Sequence, residues 1–389
     1  MGRDQKINIC HIISGDLWAG AEVQADLLLR ALSKMPDLAV RAIVLNEGKL
    51  VQRLREADIE VNIIDESQHG FFALRKLMAA YLKDKNIDIL HSHRRKENVL
   101  AGYLKRDRLT RHLVQTVHGS PEPFTGLNRL KEKVYAAINN HFTKRYFDRV
   151  LPVSHDIKMK LLKRIDSSRL ITIHNSIDPS QVEPSRGRNE IRAELGLDAN
   201  APVIGSAGRM VPVKQYDQFL KAAAIMLKQR PDARFLIAGE GPQLDNLKEL
   251  AAQLSISEQV LFVGFRSDMP DILSALDIFV ISSKHEGIPM VVLEAMILQR
   301  AVVSTKVGGM PEIIENDLSG LLVKPSEPQQ LASACLELLS DRELAAKIGA
   351  AAQKRIETKF SISTQARRVA DIYRELTKKK DLAVVPNDD

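Results

Sequence analysis

The sequence predicts an α/β protein made of two doubly wound, parallel-sheet domains, and three observations carry that expectation. At 389 residues the chain is longer than one hydrophobic core comfortably fills, so two domains of ordinary size are expected. Apolar strand-like runs alternate with amphipathic helical patterns along almost the whole length, which is the signature of parallel strands joined by crossover helices. The alternation breaks once, after Asp178, into "PSQVEPSRGRNE", and then restarts.

In chain order, "INICHII" is a first strand and "AEVQADLLLRALSKM" its crossover helix. "VRAIVLN", "GKLVQRLREAD" and "EVNIID" continue the pattern, and "IDILHSH", "LVQTVHG", "RVLPVS" and "LITIHNSID" complete the first half. After the break come "PVIGSAGRM", "ARFLIAGEG", "QVLFVGF", "DIFVISS", "AVVSTKVGG" and "GLLVKP". The expected boundaries are a first domain over 1–178, a linker over 179–200 and a second domain over 201–359. A helix within 360–378 is expected to pack back on the first domain, ahead of a frayed tail at 379–389.

Composition narrows the function classes. A hydrophobic content of 44% supports a globular chain. Cys10 and Cys335 are the only cysteines; far apart in sequence, they suit a reducing compartment and argue against a disulfide scaffold or a cysteine metal site. The first residues lack a secretory or myristoylation pattern, and no apolar stretch approaches the ~18 residues of a spanning helix, so a cytoplasmic protein is expected. The formal charge of +7 is uneven: residues 1–178 hold 30 Lys and Arg against 21 Asp and Glu, and residues 94–169 alone hold 18 against 7. Such runs are ordinarily solvated helix faces. Concentrated in one half, they also fit a surface that meets anionic lipid at the inner face of a membrane. Nucleic acid is not expected as a partner, because aromatics are only 5% of the chain and no recognition motif is present.

In open parallel sheets ligands bind beyond the carboxyl ends of the strands, so the residues following each strand are the ones to interrogate. After the first strand, Gly15 and Gly20 in "SGDLWAGAE" would let a ligand approach backbone at a helix start near Ala21. His118 in "HGS" lies at the same edge. In "GSAGRMVPVK", Arg209 and Lys214 are two cations without an acidic neighbour in sequence, which suits a diphosphate. Gly239 and Gly241 in "AGEGP" and the Gly308–Gly309 pair are turn residues that also permit close approach. "KHEGIPMVVLEAM" sets Glu286 in a loop and Glu294 eight positions on, inside an apolar helix that Pro289 is expected to open at its first position. Gly287 and Ile288 would then turn N–H groups toward a phosphate, with Glu286 and Glu294 free to bind hydroxyls.

Together these residues resemble a family of enzymes. The "E-G-I-P-M-V-V-L-E" spacing, "GR" with its downstream Lys, "GEGP", "FVGF", "VGGMPEII" with "SGLLV", "HGS" and "HNSID" are similar to the family 4 retaining glycosyltransferases of the two-Rossmann GT-B architecture, in which two domains face a central cleft. The resemblance implies a nucleotide-diphosphate sugar, most commonly a UDP-sugar, as co-substrate. It also implies a glycolipid, lipopolysaccharide or polysaccharide-precursor acceptor. By the same resemblance Arg209 and Lys214 neutralise the diphosphate, with Gly287, Ile288, Pro289 and Met290 at the helix end. Glu294 binds the ribose, and Glu286 and His118 face the transferred sugar as the catalytic pair. Gly20 approaches the phosphates, and Gly264, Phe265 and Arg266 lie by the base. Two positions depart from the family: Ala19 precedes Gly20 where a second Gly is usual, and Gln215 stands where Gly often follows the lysine.

No Asp-x-Asp pair occurs in the chain, so no obligatory metal or other cofactor is expected. The competing expectations are a nucleotide-sugar 2-epimerase on the same architecture and a catalytically inactive sugar-nucleotide-binding protein. The set Arg209, Lys214, Glu286 and Glu294 weighs against both.

Overall fold

The computed structural model describes residues 6–15, 18–119 and 128–378; Asp16, Leu17, Ser120 and the 379–389 tail lie outside them. The chain divides into two compact units, 1–175 with 362–389, and 176–361.

In the first unit the strands are β1 (Ile7–Ile13), β2 (Leu38–Val44), β3 (Glu60–Ile63), β4 (Ile87–Ser92), β5 (Thr110–Val117) and β6 (Arg149–Pro152). They form one parallel sheet in the order β3-β2-β1-β4-β5-β6. Helices cover both faces, which is why the central strands read as apolar runs instead of alternating. One face buries Ile12, Ile43, Leu90, Leu100, Leu104 and Leu113. Part of the other is covered by the helix Ile362–Lys378, whose Ala366, Val369, Ala370, Tyr373 and Leu376 pack against Ile9, Leu28, Leu32, Ile89 and Val114. The spacing of these residues makes one apolar stripe on a helix that is polar elsewhere.

The second unit repeats the plan with β7 (Val203–Ala207), β8 (Arg234–Ala238), β9 (Val260–Phe262), β10 (Ile278–Ile281), β11 (Ala301–Thr305) and β12 (Leu321–Val323), all parallel, in the order β12-β11-β10-β7-β8-β9. Phe219, Leu220, Phe235, Ile237, Val280 and Val303 lie in its core.

The stretch expected as a linker, 179–200, is built into this second unit. Its helix Arg188–Glu194 buries Ile191 completely, and Arg192 is 1% exposed. The Arg192 guanidinium donates to the carbonyls of Ala199, Ala201 and Ala275 and to Asp277, while Arg188 and Arg300 both donate to the Ser274 and Leu276 carbonyls. Composition marks such a stretch as solvated. Its arginines instead satisfy carbonyls at the end of the helix Met269–Ala275, which water cannot reach freely. Among the described residues no helix is long and apolar enough to cross a membrane.

Candidate active site

Each sheet reverses its strand order at one place, between β1 and β4 in the first unit and between β7 and β10 in the second. At such a switch point the loops leaving neighbouring strands diverge to opposite faces and leave a crevice at the carboxyl edge. Most of the candidate residues gather at or beside these two places.

In the second unit, the chain leaving β7 passes exposed Arg209 and makes a 3₁₀ turn at Pro212–Lys214. The segment leaving β10 lies beside it: Lys284 N–H donates to the Val213 carbonyl (2.8 Å) and Ser282 Oγ to the Lys214 carbonyl (2.9 Å). This lacing brings Lys214 Nζ to 2.7 Å from Glu286 Oε1, which also accepts from Ser283 Oγ at 2.5 Å. Glu286 is 8% exposed, so the ion pair stands largely out of water, where a fixed charge acts most strongly on a ligand. The sequence suggested separate tasks for these two residues; the fold makes them direct neighbours.

The loop is held from beneath by Gly308, at φ +52°, where a Cβ would come within 1.8 Å of the Glu286 carbonyl oxygen. Gly309 N–H donates to the Gly287 carbonyl at 3.1 Å. Pro289 is not the first helical residue, as its preference suggested. With ψ 133° it is the N-cap, and the helix runs Met290–Ile297. The open end is therefore carried by the Met290 and Val291 N–H groups, three residues beyond Gly287 and buried Ile288 respectively.

Glu294 sits on the second turn of this helix, half-buried. Burial pushes its carboxyl up to about 7, and it has no side-chain partner among the described residues. A buried carboxylate without a cation is costly, and a group kept in that condition at a strand mouth is suited to hydroxyls that a ligand brings. Gln215, in place of the family's usual Gly, has left-handed backbone (φ 49°) and reaches Ser326 through its side-chain amide at 3.1 Å. Glycine holds that conformation without strain.

The Gly264–Arg266 segment lies off this centre. Gly264 accepts from Gly239 N–H at 2.7 Å, Phe265 is 58% exposed, and its N–H donates to Glu240 at 3.4 Å. Arg266 is occupied by Asp268 (2.6 Å) and Glu194 (2.9 Å). These partners hold its guanidinium charged and fixed, leaving the backbone and the Phe265 ring as the surfaces a base could meet.

In the first unit, Gly20 opens the helix Gly20–Ser33, with Ala19 as N-cap and no side-chain cap. His118 follows β5, and burial lowers its imidazole to about 4. Its Nε2 lies 3.1 Å from Nδ1 of His93, just beyond β4. Glu97 spans the switch point: it accepts from Ser14 Oγ at 3.0 Å and from the His93 and Arg94 N–H groups at 2.8 Å. Burial pushes its carboxyl up to about 7 despite these donors. Glu22, fully buried, pairs with Arg94. His93 and Glu97 escaped the sequence reading. "HSH" at the end of an apolar run, followed by Glu97 at capping-box spacing, was the available signal.

Comparison with known proteins agrees with this division. The family model for glycosyl transferases group 1 matches residues 187–355, and that for glycosyltransferase family 4 matches residues 18–181. The Escherichia coli UDP-Gal:alpha-D-GlcNAc-diphosphoundecaprenol alpha-1,3-galactosyltransferase is 24% identical over 84% of this chain and 89% of its own. The Bacillus anthracis N-acetyl-alpha-D-glucosaminyl L-malate synthase is 26% identical over 77% of this chain and 78% of its own. The crystal structure of Anabaena HepE in complex with UDP-glucose superposes with a TM-score of 0.83 at 22% identity, covering 95% of this chain and 99% of that one.

Proposed function

The chain belongs to the family 4 glycosyltransferases of the GT-B fold and is a glycosyltransferase, and from that premise we propose that it moves a sugar, with retention, from a UDP-sugar to a glycolipid, lipopolysaccharide or polysaccharide-precursor acceptor. The observation that carries this reading is the Lys214–Glu286 pair at the β7/β10 switch point, with Glu294 eight residues beyond. A nucleotide sugar needs a cation for its diphosphate and, within a few ångströms, an acceptor for its sugar hydroxyls. The pair offers both from one spot.

During transfer, negative charge grows on the departing phosphate, and fixed donors aimed at it lower the barrier. Arg209, Lys214 and the Met290 end of the helix take that part, and Gly20 is assigned to the phosphates as well. Glu294 holds the ribose, the Gly264–Arg266 segment the base, and Glu286 and His118 the transferred sugar. In a front-face mechanism the leaving phosphate oxygen accepts the acceptor's proton, so Glu286 orients and stabilises and is not a nucleophile. No obligatory metal takes part in this scheme, because the diphosphate charge is met by side chains. The donor preference is supported by HepE, whose complex holds UDP-glucose, and the lipid-linked acceptor by the galactosyltransferase named for one.

The test is turnover against a panel of UDP-sugars, followed by Glu286→Ala. The expected result is a kcat that falls with little change in donor affinity. Trapping of a glycosyl ester on Glu286, or donor binding that survives Lys214→Ala unchanged, refutes it. The basic character of residues 94–169 supports association with anionic lipid at the inner face of the membrane, and the two widely separated cysteines support a cytoplasmic enzyme. Binding to anionic vesicles that weakens as salt rises is expected, since counterions screen exposed charge within ~8 Å at 0.15 M; salt-indifferent binding counts against it.

A further inference from the structure

Beneath His118 the first unit buries three more histidines and a tyrosine, each touching the next. His118 Nε2 faces His93 Nδ1 at 3.1 Å, and His93 Nε2 faces His11 Nδ1 at 2.9 Å. His11 Nε2 lies 3.2 Å from the Tyr373 hydroxyl, which lies 2.5 Å from His91 Nδ1, and His91 Nε2 ends the line 2.8 Å from Thr116 Oγ1. Strand register builds the row: β1 and β4 pair His11 with His91, and β4 and β5 pair His91 with Val114, two residues before Thr116. Tyr373 enters from the helix Ile362–Lys378. No three of these groups converge as a metal site would, among the described residues; they meet nose to tail.

Desolvation lowers all four imidazoles, His11 to about 3 and His91 and His93 well below the usual range. Each ring is therefore neutral, with one N–H and one lone pair. Every contact in the row needs a single proton, and Tyr373 has only one to give. Two arrangements satisfy them all. In one, every histidine carries its proton on Nδ1; Thr116 donates to His91 Nε2, and His118 ends the row with Nδ1–H. In the other, every histidine carries it on Nε2; His91 donates to Thr116, and His118 ends the row with a bare Nδ1 lone pair. A mixture sets two N–H groups, or two lone pairs, against each other at a His–His contact, and at Tyr373 it strands either the hydroxyl proton or one histidine lone pair, in a core where unpaired polar groups are costly. His118 Nδ1 itself is buried and has no partner in the protein among the described residues.

We propose that His118, His93, His11, Tyr373 and His91 form one hydrogen-bond wire of a single polarity. His93 and Tyr373 are its positioning residues: they decide whether His118 Nδ1 meets the sugar as donor or acceptor. The functional half of this inference rests on the reading of His118 as sugar-facing; the wire itself does not. Chains of hydrogen bonds polarise one another, so a change at Tyr373 is felt at His118 although the two do not touch.

Imidazole ¹⁵N NMR of the full chain tests it. The expected spectrum has all four rings neutral and in the same tautomer, and in Tyr373→Phe the His118 and His93 resonances move together with those of His11. Mixed tautomers, or a response confined to His11 and His91, overturn the wire. Thr116→Val, at the far end, carries the same test should Tyr373→Phe not fold. Turnover supplies the second readout: Tyr373→Phe is expected to lower kcat by about tenfold or more with donor KM nearly unchanged. A uniform, coupled wire with kcat unaltered leaves the wire standing and overturns the placement of His118 at the sugar.

Discussion

Replacing Glu294 by Gln should make the protein more stable, and increasingly so as pH rises. Burial lifts the Glu294 carboxyl from 4.5 to about 7, so the folded chain holds this proton more tightly than the unfolded one. Below the unfolded value both states are protonated and the group is neutral in the balance. As pH rises from about 4.5 towards 7 the unfolded state ionises first and stability falls, levelling off above the folded value. A shift of this size is worth about 3 kcal/mol. Gln keeps the shape and cannot ionise, so its advantage over wild type grows from about 1 kcal/mol at pH 5 to about 3 kcal/mol at pH 8. Urea unfolding followed by circular dichroism at several pH values measures the difference, and the other raised carboxyl, Glu97, cancels because both proteins carry it. The same proton reports on function. Ribose hydroxyls donating to the carboxylate favour its charged form, so binding a UDP-sugar near pH 6.5 should expel a proton from wild type and none from Glu294→Gln. Calorimetry in two buffers of different ionisation enthalpy reads this directly, and UDP-sugars avoid the titrating terminal phosphate of free UDP. A stability gap that stays flat from pH 5 to 8, or widens on the acid side, refutes the reasoning.

Two further outcomes concern the same site. Lys214→Ala should cost about 1–3 kcal/mol of stability, because it leaves Glu286, 8% exposed, with Ser283 as its remaining side-chain partner among the described residues. Adding Glu286→Gln should return most of that loss, and a double-mutant cycle measured by denaturant unfolding decides whether the two residues are coupled. Gly308→Ala forces a methyl to within 1.8 Å of the Glu286 carbonyl oxygen at φ +52°. About 2 kcal/mol or more of destabilisation is expected, together with weaker UDP-sugar binding by titration calorimetry as the Glu286 loop is pushed out of place.

The strands could be read from the sequence because parallel strands covered on both faces must be apolar throughout. "DIFVISS" and "INICHII" carry that requirement in their own residues. The candidate positions could be read for a related reason: a doubly wound sheet exposes the ends of its strands, and the polar residues that interrupt an apolar run there have few structural tasks to perform. Partnership is a different matter. Lys214 and Glu286 are 72 residues apart, and they meet because β10 lies next to β7, a choice made by the whole sheet and not by either segment. His11 and His91 meet only in one strand register; slipping it by one residue would send one ring to the opposite face. Arg192 looks like a surface residue just after a Pro- and Ser-rich stretch, and nothing local reveals the carbonyls that take it into the interior. Local chemistry thus marks where a site can be, while the pairing of distant strands decides which charges face each other in it. The ionisation of Glu294 belongs to the second kind, since it follows from what the fold denies that carboxyl: full hydration and, among the described residues, a cation.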